Sequence, residues 1–173
     1  MNATDFEEKL PAVSGWIERL IENNRRLARP VSSFGFTRLP VYFSDDTLAR
    51  ANVVVVDSVP KPPLAALGLE QFADFESMEL DGITYRDFYF LNRALVDDES
   101  LHFHELVHIV QWHVLGAERF LLAYALGHVS DGVYRNNPFE RIAYDLQARF
   151  VDLPNPFQVE PLVLRHLRET VPS

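Results

Sequence analysis

The sequence predicts an α+β domain: a small twisted β-sheet with helices packed on it, one of them largely buried near its centre. Three observations carry that expectation. Asn52-Val53-Val54-Val55-Val56-Asp57 is a compact β-branched run, the composition of a strand buried on both faces. Ile83 to Leu91 is rich in aromatic and β-branched residues and reads as a second strand. From residue 97 onward the pattern becomes helical, punctuated by Gly116, Gly127 and Pro138. The 173 residues hold no linker or repeat, so 1–173 is expected to be a single domain.

The elements follow in order. Phe6, Leu10, Val13, Ile17, Leu20 and Leu27 recur at three- and four-residue steps, predicting an amphipathic helix to about Leu27. Thr4 and Glu7 form a capping box ahead of it. Pro11 either kinks the helix or starts it, and Pro30 ends it. Leu39 to Phe43 is strand-like, and Asp45 to Arg50 is a short helix with an acidic start. Pro60, Pro62 and Pro63 break the chain after the valine run. Leu69 to Phe72 reads as one helical turn, and Asp81-Gly82 as a turn.

Asp97-Asp98-Glu99 opens a longer helix, because acidic side chains satisfy free amide N–H groups and suit the positive end of the dipole. It stops near Gly116. A second helix runs from Ala117 to Leu126 and ends at Gly127, followed by a loop from His128 to Asn136. Asn137-Pro138-Phe139-Glu140 starts a third, with Asn at N-cap, Pro at N1 and Glu at N3. A short helix around Leu162 to Arg168 closes the chain.

Composition narrows the function. Hydrophobic residues make up 47% and charged residues 24%, as in an ordinary globular protein. A chain this long buries a core without metal, so a metal would be functional rather than a folding staple. The net charge of −9 makes it a poor binder of phosphate backbones, and no nucleic-acid partner is expected. With no cysteine, thiolate ligands and Cys nucleophiles are excluded. The acidic N-terminus lacks the apolar stretch of a secretory signal, and no window is long enough to span a bilayer. A cytoplasmic protein with no membrane partner is the expectation.

The chemistry lies in His104-Glu105-Leu106-Val107-His108. On a helix, positions i and i+4 share one face, about 5–6 Å apart at Cβ. Two imidazoles there can turn a ring nitrogen toward one zinc ion, Zn2+. Glu105, one step round from His104, can reach a water on that ion and take its proton as general base. Apolar Leu106, Val107 and Val110 flank the two His, and buried imidazoles need polar partners, which one cation supplies to both.

A catalytic zinc site takes three protein ligands and keeps one position open. A third His at the metzincin spacing is missing, since Gln111 and Val114 occupy the Gly and His positions of that pattern. The acidic candidates downstream are Glu118, Asp131, Glu140 and Asp145. Glu118 lies too soon after the Gly116 turn. Glu140 opens a new helix after one that can carry the chain back, and it is the chosen third ligand, with Asp131 as the alternative. The competing reading of Glu140 is an ordinary capping residue. Tyr134 is placed where a phenol could hydrogen-bond a developing oxyanion, and Tyr144 lies one turn after Glu140. Packing is the competing reading for both. Gln111 or Asp145 could orient the imidazole N–H groups. His102 and His113 lie off the ligand face, and His128 and His166 fall in a loop and in the tail.

Over roughly residues 83–150 the chain resembles the zincin metallopeptidases, in particular the gluzincin branch. The resemblance rests on the strand Ile83 to Leu91, on HELVHIVQW and on NPFERIAYD. It implies a zincin-like fold, a zinc ion held by His104, His108 and Glu140, and Glu105 as general base of peptide hydrolysis. It also implies that Ile83 to Leu91 rims the cleft and pairs with an extended peptide or protein substrate. The thermolysin-like pattern has an Asp four residues after its ligand Glu; here that position is Tyr144, with Asp145 one later. The resemblance does not extend to the first 80 residues, which would cap the cleft or hold it shut. Two rivals stand beside the hydrolase: a non-catalytic zinc-binding domain of the same fold used for partner binding, and a plain interaction domain with fortuitous His.

Overall fold

The computed structural model describes residues 6–131, 134–152 and 155–171. Its sheet has four strands: β1 (Arg29–Pro30), β2 (Asn52–Val56), β3 (Gly82–Tyr85) and β4 (Phe88–Asn92), in the order β1-β2-β4-β3. β2 runs parallel to β4, with Val54 opposite Phe90, while β1 and β3 pair antiparallel at the two edges. The helices are α1 (Leu10–Asn24), α2 (Leu39–Tyr42), α3 (Asp45–Arg50), α4 (Ala73–Ser77), α5 (Glu99–Leu115), α6 (Ala117–Asp131), α7 (Pro138–Asp152) and α8 (Val159–Thr170). The chain is thus α+β with a small sheet, as its pattern predicts.

α5 organises the core. Every residue from His102 to Trp112 is buried, so the helix is covered on all sides. β3, α6, α7 and α8 all pack against it. The Asp98 carboxylate caps its start by accepting from the Ser100 and Leu101 amides, and Gly116 ends it. α1 starts at Leu10 with Pro11 in its first turn, where the missing N–H costs nothing, and it buries Val13, Ile17 and Ile21. Leu27, expected as its last apolar position, lies beyond the helix and is exposed. Thr4, the expected N-cap, lies outside the described residues.

Three expectations need correction. Leu39 to Phe43 is a helical turn (α2) rather than a strand. Pro40 fits a first turn, and the turn buries Leu39 and Tyr42, with Phe43 buried just beyond it. Ile83 to Leu91 is a hairpin rather than one strand. It turns at Arg86-Asp87, where Arg86 takes a left-handed φ of 58°, so only β3 is an edge and β4 is interior. α6 runs through Gly127 to Asp131 instead of ending at Leu126. Gly127 serves close packing there, since a Cβ would meet Asn137 Oδ1 at 3.0 Å and Pro138 Cδ at 3.1 Å. Among the described residues no helix is long and apolar enough to cross a membrane.

Candidate metal centre

His104 and His108 lie one turn apart on α5, with ring centroids 4.9 Å apart and their Nε2 atoms 3.1 Å apart. Glu140 reaches them from the first turn of α7. Its Oε2 is 3.5 Å from His104 Nε2, and its Oε1 is 3.4 Å from His108 Nε2. All three side chains are buried, and one ligand atom from each falls within 4.8 Å of the others. Glu140 is therefore no capping-box partner. The Asn137 side chain caps α7 by itself, accepting from the Phe139 amide at 3.1 Å.

The far side of each imidazole fixes what the near side presents. His104 Nδ1 meets Gln147 Oε1 at 3.1 Å, and His108 Nδ1 meets Gln111 Oε1 at 2.8 Å. The Gln111 amide is itself oriented, because its Nε2 donates to the Phe139 carbonyl at 3.0 Å. An amide oxygen only accepts, so each Nδ1 carries a proton and each Nε2, in a neutral ring, turns a lone pair inward. Two lone pairs and a carboxylate then converge, an arrangement that a shared proton or cation must offset. Glu140 Oε2 is buried without a hydrogen-bond partner among the described residues. A tetrahedron with ligand distances of about 2.0–2.1 Å has edges of about 3.3–3.4 Å. The two Nε2 atoms lie 3.1 Å apart, near such an edge, and a different Glu140 oxygen faces each of them at 3.4 and 3.5 Å, so the three side chains stand close enough to share one ion. The donor set, two imidazoles and a carboxylate, fits zinc.

Burial by itself would raise the Glu140 carboxyl, but the His108 charge, with both imidazoles close beside it, holds it well below the usual carboxylate range. Burial would likewise lower His108. The Glu140 charge and hydrogen bond, with Glu105 behind them, outweigh it and raise the imidazole to about 9. Without a metal, a proton on His108 therefore neutralises the cluster.

Glu105 is buried beside the pair. Burial raises its pKa, against the charges of His104 and His108 and a hydrogen bond from Thr84. Thr84 Oγ1 donates to Glu105 Oε2 at 2.7 Å, and the Trp112 indole donates to the Thr84 carbonyl at 3.1 Å, tying β3 to α5. Gly82 makes room for the carboxylate: a Cβ there would sit 2.5 Å from Glu105 Oε1.

Three tyrosines complete the surroundings. The Tyr124 hydroxyl, from α6, donates to Glu140 Oε1 at 2.7 Å. Tyr134 lies beside Tyr124, and burial raises both phenols well above their ordinary value, so they stay neutral donors. Tyr144 packs on the His104 ring at 4.6 Å, and Arg135 stacks over Tyr144 at 4.7 Å. Two cavities meet at the cluster. One is a polar cleft of about 480 Å³ that reaches His104, Tyr144 and Gln147; the other is an apolar cavity that reaches His108 and Glu140. Gly82, Glu105 and Tyr134 line both.

The residues chosen from the sequence thus come together: His104, His108 and Glu140 as a cluster, Glu105 beside it, and Tyr134 in the cavity walls. The Asp131 side chain lies outside the described residues. Glu118, Asp145 and His113 are exposed, so Asp145 orients no imidazole; Gln147 fills that role. His102 is buried away from the cluster, between the Tyr89 hydroxyl and the Val96 carbonyl. His166 packs against the Pro138 carbonyl. Tyr124, Thr84, Gly82 and Gln147 escaped sequence reasoning. Only Gln147 left a signal, two turns after Glu140 on the same face of α7. No family model matches the chain, and no curated protein or solved structure is significantly similar to it.

Proposed function

We propose that this chain is a zinc-dependent hydrolase of the small gluzincin-like metallopeptidase type, zincin-like in its active-site layout, acting on a peptide or protein substrate. His104, His108 and Glu140 would hold the ion. The observation that carries the reading is the convergence of three buried donors, one ligand atom from each within 4.8 Å of the others, with a buried carboxylate, Glu105, directly beside them. When bound, zinc supplies Lewis acidity, polarising a carbonyl and making a water easier to deprotonate.

The protein's own groups do the rest. Glu105 takes the proton from the attacking water and returns it to the leaving amine. Burial favours that exchange, because it keeps the carboxyl from being too weak a base. Thr84 holds one carboxylate oxygen, so the other is free to face the water. Tyr134 donates its phenol proton as a hydrogen bond to the developing oxyanion. Gln111, Gln147 and Tyr124 keep the ligands aimed. β3 supplies the rim for an extended substrate, and it is a short one. The Thr84 carbonyl is already taken by Trp112, so pairing is left to Gly82 and the residues before it.

The test is a degenerate, internally quenched peptide library incubated with zinc-loaded protein. Cleavage should disappear with chelation and return with zinc. Glu105→Gln should keep one zinc per chain while cleavage drops by about 10²–10⁴-fold. Cleavage that survives both chelation and Glu105→Gln refutes the mechanism. Zinc binding with no cleavage of any peptide would leave the non-catalytic zinc-binding domain as the better reading.

A further inference from the structure

We infer that Arg135 makes the polar cleft selective for substrates that carry a carboxylate about one residue beyond the bond to be cleaved. The position of that bond rests on the reading above; the recognition of a carboxylate by Arg135 does not.

The wall of the cleft carries few charges. Glu79 and Asp81 lie on the stretch that leads into β3, Asp98 lies at the start of α5, and Arg135 follows Tyr134. Asp98 is engaged, because its Oδ1 caps α5 through the Ser100 amide and hydroxyl. Among the described residues Arg135 is the only lysine or arginine in the wall of either cavity. The other charges of the cleft repel an anion, so Arg135 is the one place where a carboxylate is drawn in.

Arg135 is anchored but unpaired. Its guanidinium lies over the Tyr144 ring at 4.7 Å, and Tyr144 packs on the His104 ring at 4.6 Å. Among the described residues no carboxylate forms an ion pair with it, although Glu79 and Asp81 line the same cleft. The side chain is exposed, so water serves its donors until a ligand arrives. Five N–H groups in a rigid fork match a carboxylate in two-point contact, and the ring beneath keeps the fork beside the cleft.

The two ring contacts also set a length. They put the Arg135 Cζ no more than about 9 Å from the centre of the His104 ring. A guanidinium and a carboxylate pair with their carbons about 4 Å apart, and one extended residue spans about 3.3–3.6 Å. The interval holds one residue and not two. Either the end of a chain or an acidic side chain supplies a carboxylate there.

The test compares two probes by calorimetry on zinc-loaded protein: succinic acid monohydroxamate and its neutral amide. The carboxylate of the first lies three bonds from the hydroxamate carbon, the spacing from a peptide carbonyl carbon to the next one. The acid should bind about five- to tenfold more tightly, the range of a partly exposed charge-assisted pair. That preference should vanish in Arg135→Gln and persist in part in Arg135→Lys, which keeps the charge and loses the fork. Where the hydroxamates bind, no preference in wild type, or an equal one in Arg135→Gln, overturns the inference. A second measurement uses no metal. The Arg135 Nε–H resonance is followed by NMR in metal-free protein titrated with N-acetylalanylalanine, with its amide, and with N-acetylalanylglutamate amidated at its end. A saturable shift with a carboxylate-bearing peptide and none with the plain amide supports the inference even where zinc finds no site. The tighter of the two acids then tells chain end from side chain. The same response to all three peptides, or no response, overturns it.

Discussion

Zinc uptake should release one proton, and the structure says from where. In the metal-free protein His108 titrates at about 9, because Glu140 and Glu105 outweigh the effect of burial. At pH 7 that is about two units below its pKa, so about 99% of the chains carry the proton, on the nitrogen whose lone pair zinc needs. Each zinc must displace it. Apparent affinity at pH 7 should then be about 100-fold weaker than above pH 9, and should fall about tenfold per unit of acidification. The stability of the metal-free protein follows the same groups with definite signs. The raised His108 stabilises the fold fully below its unfolded value of 6.5, and that contribution is lost as pH rises through about 9. The depressed Glu140 contributes above the ordinary carboxylate range and is lost under strong acid. The assay is calorimetric titration of metal-free protein with zinc at pH 7, in two buffers of different protonation enthalpy and with a weak competing chelator. The buffer dependence should give close to one proton per zinc. Tight binding with no proton released, or an affinity that is flat from pH 6 to 8, would refute the picture of one proton occupying the cation's place.

Three substitutions probe the surroundings. Gly82→Ala puts a Cβ 2.5 Å from Glu105 Oε1, so the carboxylate must move about 0.9 Å to reach ordinary contact. Thermal melts should show a loss of about 1–3 kcal/mol, and any hydrolysis should fall about 10²-fold while zinc stoichiometry stays at one. Tyr124→Phe removes the 2.7 Å hydrogen bond to Glu140 and should weaken zinc binding about 10- to 100-fold in competition with a chelator, without changing the fold by circular dichroism. Tyr89→Phe leaves His102 Nδ1 buried and unpaired, and denaturant unfolding of the metal-free protein should show about 1–3 kcal/mol lost with zinc affinity unaffected.

What could be read from the sequence was whatever depends on local periodicity. The four-residue spacing of His104 and His108 needs only a helix, and Asp98, Gly116 and Asn137 mark helix ends by chemistry each residue carries alone. Glu140 was legible because few acidic residues stand where a returning helix begins. Elsewhere local signals misled. Leu39 to Tyr42 looks extended until the burial of Leu39 and Tyr42 is known, and Arg86-Asp87 is a turn pair hidden inside an aromatic run. Gly127 reads as a helix stop, yet it is a contact point for Asn137 and Pro138. Thr84, Tyr124 and Gln147 join the site only through tertiary packing of β3, α6 and α7 onto α5. No spacing in the sequence encodes those contacts.

The two ends of the apolar cavity come from different parts of the chain. Its electron-pair donors sit on α5 and α7, whereas much of its wall comes from α1 and the stretch around Phe72. In the proposed hydrolase, reactivity and selectivity would thus be inscribed on separate segments. Exchanging Val13, Ile17 or Phe72 for other apolar residues would retune which guest is admitted and leave the donors where they are, so the scaffold can diversify its taste without relearning its chemistry.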